Sequence, residues 1–222
     1  MAERYGVRPK KFTKEWWPYF WTYYKWHAVA AAVAVLLILV TAVQCATQET
    51  YDLTITYAGS RVFIEKEVEA LEAEAEKYVE DVDGNGENNV LLLQLNFGNN
   101  QSSAEMDYAL QTKHDLEMNA SEISYLYIYD KEKAEQMVSR DDACDIYVNV
   151  NEWVDGDISE EKVLCNAGGI PAAVSLEDST ILKNIGINPD GLYAAVKVDF
   201  SDKEICAKAQ KSAIAVANEI LK

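Results

Sequence analysis

The chain has 222 residues and a formal net charge of −17. The charge is unevenly placed: residues 1–46 carry six basic and two acidic side chains, net +4, while residues 47–222 carry 14 basic and 35 acidic, net −21. So acidic a region repels phosphate backbones and anionic lipid, which excludes nucleic-acid binding, and its length suffices for one domain with a core.

The N-terminal part reads as a membrane anchor. Ala28 to Val43 are sixteen consecutive residues without charge, Thr41 being the one polar residue, and Gln44-Cys45-Ala46 extends the stretch. Alone this run falls just short of a bilayer, but the aromatic-rich segment Trp16–Trp26 precedes it, and Trp and Tyr rings favour the headgroup layer. Counted from about Tyr23, the helix is long enough to span. All six basic residues precede the apolar run and none lies in Thr47-Gln48-Glu49-Thr50 directly after it. The bias predicts a cytoplasmic segment over residues 1–26, a transmembrane helix over 27–46 and an extracytoplasmic domain over 47–222. An uncleaved signal-anchor fits better than lipidation at Cys45, because Gln44 stands where a lipoprotein signal needs a small residue.

Beyond the membrane, Leu53–Tyr57 alternates as a strand, after a link too short to reach more than ~18 Å. Ile64, Val68, Leu71, Ala75, Tyr78 and Val82 then form a helical apolar stripe, with six glutamates from Glu65 to Glu76 on its solvated face. Val90–Phe97 is nearly all apolar, as in a strand covered on both faces. Ser102 and Glu105 have capping-box spacing before a helix to about Met118, and Ile123–Tyr129 is a third strand with a short helix from Lys131. This alternation predicts a three-layer α/β domain with a mostly parallel sheet. Farther on, strands are expected at Asp145–Val150, Pro171–Ser175 and Leu192–Phe200. A last helix, capped by Ser201 with Glu204, buries Ile205, Ala209, Ala213, Val216 and Ile220.

Catalytic motifs are sparse. The two histidines are His27, at the membrane edge, and His114, mid-helix without a nucleophile motif nearby; there is no phosphate loop and no zinc spacing. Asp81, Asp83, Asn85 and Glu87 match the first half of a calcium loop, but the position that requires a bidentate glutamate is Leu92. An ordinary Gly/Asn turn explains the segment, so no cofactor is expected, with calcium as the competing reading. Cys144 and Cys165 could bridge the irregular region, and Cys206 reads as buried.

The order from Leu53–Tyr57 through the helix bearing Ala109-Leu110-Gln111-Thr112-Lys113 to Ile123–Tyr129 resembles the first lobe of the extracellular solute-binding proteins that serve ABC importers. The layout is similar to that of bacterial single-pass membrane-anchored proteins. The resemblance implies a ligand site beyond the carboxyl ends of the strands, at Ser60, Arg61, Asn99, Asn100 and Asp130. A two-lobed binding protein needs roughly twice the residues available here. Arg61 is the one positive charge among these loops: it either holds an anionic group or offsets Glu65 four residues on. The expected function is a non-catalytic, membrane-tethered binding or interaction module, an accessory of a membrane complex such as a transporter. The alternative is a membrane-anchored hydrolase using carboxylates or a divalent ion. Expected partners are the lipid bilayer through residues 16–46, a membrane protein and, at the strand-end loops, a small molecule.

Overall fold

The computed structural model describes residues 10–46, 50–98, 103–156 and 158–222. They fall into two compact units, divided between residues 49 and 50.

The first unit is one helix, α1 (Trp16–Ala46), long and apolar enough to cross a membrane. It begins earlier than Tyr23, because Pro18 lies in the first turn, where its missing N–H leaves no partner wanting. Rings four residues apart then stack along the axis, Trp16 on Phe20 and Phe20 on Tyr24, with centroids 4.9 and 5.8 Å apart. The Thr22 and Thr41 hydroxyls donate to the carbonyls of Pro18 and Leu37 at 2.8 and 2.9 Å. That satisfies them inside an apolar helix.

The second unit is an α/β domain around one six-stranded sheet. In chain order it contains β1 (Leu53–Gly59), α2 (Glu65–Ala75, extended by a 3₁₀ turn over Glu76–Tyr78), β2 (Val90–Asn96), α3 (Ala104–Ala120), β3 (Ser124–Asp130) and α4 (Lys131–Val138). Two short helices follow, α5 (Ala143–Ile146) and α6 (Val150–Trp153), then β4 (Val163–Cys165), β5 (Pro171–Ser175), α7 (Thr180–Asn184), β6 (Leu192–Val196) and α8 (Glu204–Ile220). The strand order is β2-β1-β3-β6-β5-β4.

The sheet is mixed, which corrects the expectation of a mostly parallel one. Strands β2, β1 and β3 run parallel, as βαβ crossovers require, whereas β6, β5 and β4 add antiparallel. The apolar β2 is an edge strand, and its free edge is closed at Leu92, whose N–H donates to Glu72 Oε1 at 2.7 Å.

Strand residues alternate between two buried clusters. Ile55, Ile128 and Ala194 join Leu71 of α2 and Ala209, Ala213, Val216 and Ile220 of α8. Tyr127, Tyr129 and Ala195 join Met118 of α3 and Ala134 and Met137 of α4. Period-2 strands and period-3.6 helices sort these residues as the sequence pattern anticipates. Each fully buried Leu, Ile or Val contributes roughly 1.5–3 kcal/mol.

Several local expectations change. Ile64 is the exposed N-cap of α2, and Phe63 is buried instead. The Asp145–Val150 segment is not a strand: α5 and α6 occupy its ends, with a single bridge from Tyr147 to Lys197. Helix α3 is capped by Ser103, whose side chain accepts from the Met106 N–H at 3.3 Å, while Ser102 lies outside the described residues. Lys203 is the N-cap of α8, and no side chain caps that helix. Cys144 and Cys165 are exposed free thiols, so no bridge staples the region they flank.

Candidate functional site

A cavity of about 370 Å³ opens at the carboxyl ends of β1, β2 and β3, where parallel strands hand over to helices. Its walls come from Gly59 and Ser60 after β1, Phe97 and Gly98 after β2, Asp107 and Gln111 of α3, and Asp130 with the first turns of α4.

Asp130 organises the floor. As N-cap of α4 it accepts from the Lys133 N–H at 2.9 Å through Oδ1. Its Oδ2 accepts from the Ser60 N–H at 2.6 Å and from the Ser60 hydroxyl at 2.9 Å. One carboxylate thereby ties the end of β1 to the start of α4 by charge-assisted bonds.

Gly59 lets the two strands approach that closely. A Cβ there would lie 2.5 Å from the Tyr57 hydroxyl and 2.7 Å from Asp130 Oδ2. Neither group can retreat cheaply, since Tyr57 Oη also accepts from the Arg61 N–H at 2.9 Å. Gly59→Ala should therefore cost about 2 kcal/mol by overpacking. Gly168→Ala, whose Cβ would meet only Asn166 Oδ1 at 3.3 Å, should cost under ~1 kcal/mol. Paired denaturant melts check this, and equal losses in the two variants would contradict it.

Lys133 is the unusual member of the wall. It is 7 % exposed, and its ammonium donates to Gln111 Oε1 at 2.7 Å and Gln136 Oε1 at 3.0 Å. It also lies 4.0 Å from the centre of the Phe97 ring. Burial pushes its pKa down, with Asp115, Asp130 and Asp107 pulling the other way. Gln111 is oriented from behind, because its Nε2 donates to Asp115 Oδ1 at 3.0 Å. Asp107 and Glu132 complete the polar lining. The cavity thus offers carboxylates, carboxamides, one ammonium and one aromatic ring, a lining suited to a small polar molecule.

Of the residues singled out from sequence, Ser60 and Asp130 meet in this cavity. Arg61 does not line it. Its guanidinium donates to the carbonyls of Asn188 and Asp190, the latter at 2.9 Å, and pins the loop before β6. No Arg61–Glu65 pair forms among the described residues, so that expectation is corrected as well. Asn99 and Asn100 lie outside the described residues. Phe97, Asp107, Gln111, Lys133 and Gln136 also line the cavity but carry no sequence signal of it; a lysine one helical turn past an N-cap aspartate gives no sign of burial.

The acidic turn lies at the other end of β1. Asp81 accepts from the N–H groups of Gly84 and Gly86 at 2.6 and 2.9 Å, and Asp83 from that of Asn85 at 2.9 Å. Asn85 Oδ1 accepts from the Glu87 N–H at 2.7 Å. Hydrogen bonds from Thr50 and the Asn85 amide hold Asp83 below the usual carboxylate pKa. The buried Asp52 adds a third carboxylate, the three lying within 4.8 Å of one another. Backbone amides bond all three, joined at Asp83 by the Asn85 side-chain amide at 3.0 Å, as in an ordinary Asx-rich turn.

His114 is fully buried and bonded through Nε2 to the Tyr129 hydroxyl at 3.1 Å, which in turn meets that of Tyr147 at 2.9 Å. It belongs to the core beneath α3. No family model, curated protein or solved structure matches this chain.

Proposed function

We propose that the chain is a membrane-tethered, extracytoplasmic binding module, a non-catalytic accessory of a membrane complex such as a transporter. The observation that carries this reading is the cavity at Ser60, Gln111, Asp130 and Lys133, built at strand ends from fixed polar groups. The apolar α1 supports the tether, and the basic residues ahead of it support a cytoplasmic N-terminus. Helices α2 and α8 on one buried cluster and α3 and α4 on the other support a three-layer domain, with the ligand seated at its strand-end rim. The non-catalytic reading is supported by His114, the domain's one imidazole, being fully buried in the core against the Tyr129 hydroxyl.

The test uses the full-length protein. In intact cells carrying the Cys45→Ser variant, a membrane-impermeant maleimide should label the exposed Cys144 and Cys165 without permeabilisation. In detergent, a thermal-shift panel of small amines, amino acids and polyols should yield a stabilising compound whose effect is lost in Gln111→Leu. Labelling only after permeabilisation would reverse the topology. A panel with no stabilising compound would remove the small ligand and leave a protein-interaction module.

A further inference from the structure

The segment ahead of α1 is basic and folded back. Lys10, Lys11 and Lys14 are exposed, and Lys25 follows inside α1 with its ammonium 5.9 Å from the centre of the Trp26 ring. Among the described residues none of the four enters an ion pair. Glu15 is the one acidic residue from 10 to 46, so the net charge there is 4 − 1 = +3. Arg4 and Arg8 against Glu3 raise it to +4 over residues 1–46.

Two successive turns gather these charges at the start of the helix. The Thr13 hydroxyl donates to the Lys10 carbonyl at 2.8 Å. The Thr13 and Trp16 N–H groups donate to the Lys10 and Thr13 carbonyls at 3.4 and 3.0 Å. Phe12, with φ 63°, is the one non-glycine residue among those described with a left-handed backbone, and its ring lies 5.2 Å from that of Trp16. A turn of this kind keeps its ends within about 7 Å, so Lys10 and Lys11 stay close to Lys14. Phe12 is 77 % exposed and Trp17 52 %, which puts open aromatic rings among the ammonium groups. Such a mixture suits the headgroup layer of a bilayer.

The distances agree. Lys14 lies nine residues before Tyr23, about 14 Å along a helix at 1.5 Å per residue. The headgroup layer is about 5–7 Å deep on each side, and a charge acts through about 8 Å of physiological salt beyond it.

We infer that Lys10, Lys11 and Lys14, with Phe12 packed on Trp16, dock onto the headgroups of anionic phospholipids in the bilayer that α1 crosses. The inference rests on the reading of α1 as a membrane tether. Orientation by charge needs only the sign of the lysines. It gives no reason for turns that gather them or for a phenylalanine held in a left-handed conformation. With a net charge of −21, residues 47–222 repel anionic lipid, so a preference for it comes from this segment.

Full-length protein is reconstituted in vesicles of phosphatidylcholine and phosphatidylglycerol at about four to one. In one preparation the phosphatidylglycerol carries bromine near the head of its acyl chains; in the other an equal amount of the phosphatidylcholine does. Bromine quenches nearby tryptophan, and Trp16, Trp17, Trp21 and Trp26, four of the five, lie at this end of α1. Brominated phosphatidylglycerol should quench as though enriched about threefold over brominated phosphatidylcholine. The preference should vanish in about 1 M sodium chloride, where charges are screened within about 3 Å. The triple variant Lys10→Gln, Lys11→Gln, Lys14→Gln should lose it, Glu15→Gln should strengthen it, and inorganic phosphate at equal ionic strength should leave it unchanged. Equal quenching by the two lipids, or a preference that survives in the triple variant, overturns the docking while the tether stands. Loss of the preference in inorganic phosphate makes free phosphate the ligand and overturns the lipid. No quenching by either lipid overturns the tether, and the docking with it.

Discussion

Replacing Asp52 with alanine should lower the domain's melting temperature by roughly 10 °C. Asp52 is 0 % exposed at the entry to β1, and its carboxylate is a hub for the loop before β2. Oδ1 accepts from the N–H groups of Val82 and Asp83 at 2.7 and 3.3 Å, and Oδ2 from that of Asn89 at 2.9 Å. Alanine leaves these donors without acceptors in a half-buried loop, each costing about 1–3 kcal/mol where water cannot reach it. A total of about 3–4 kcal/mol follows, near the upper end for a single substitution. Asp52→Asn keeps one carbonyl acceptor but turns an amide toward one of the donors, so it should lose roughly half as much. The wild-type protein should melt at the same temperature in millimolar calcium and in chelator, because the turn is held by backbone amides. A rise in calcium that disappears in Asp81→Ala would instead make Asp52, Asp81 and Asp83 an ion site.

Asp52 also shows where the sequence stops being readable. Its neighbours Leu53–Tyr57 alternate, so the strand was legible, and so was the order β1 to α4, because each element is long and keeps its own period. The carboxylate's three partners lie 30 to 37 residues away in an irregular loop, a distance that periodicity does not bridge. The same limit hid the antiparallel half of the sheet. The three-residue β4 and five-residue α7 are too short to show a period, and β6 pairs with β3 across more than sixty residues. At the candidate site, Ser60 and Asp130 were legible because they end strands in a βαβ order. Lys133 and Gln111 were not, because burial of a lysine depends on a helix packed above it from elsewhere in the chain. Arg61 misled for a related reason: its partners are backbone carbonyls at 188 and 190, which carry no side-chain signature.

Between pH 7 and pH 5 the domain should lose about 2 kcal/mol of stability through one residue, His114. Its imidazole is 0 % exposed beneath α3. Burial lowers its pKa from 6.5 to about 4, the Lys133 and Arg140 charges push the same way, and Asp115, 3.6 Å from Nδ1, pulls back. Above pH 6.5 the ring is neutral in both folded and unfolded chains, and its burial is unopposed. Below that pH the unfolded chain takes up a proton that the folded one refuses, so acid favours unfolding. The loss begins near pH 6.5 and is complete once the pH has fallen through about 4, where it reaches roughly 3 kcal/mol. Carboxylates titrate over the lower part of this window, so the measurement is a difference between two proteins. Denaturant melts of the wild type and of His114→Gln at pH 7 and pH 5 isolate it, since glutamine can still bond Tyr129 but does not titrate. The wild type should fall further than the variant by about 2 kcal/mol between the two pH values. Parallel declines would mean that His114, on α3, takes up its proton as readily in the folded protein as in the unfolded chain.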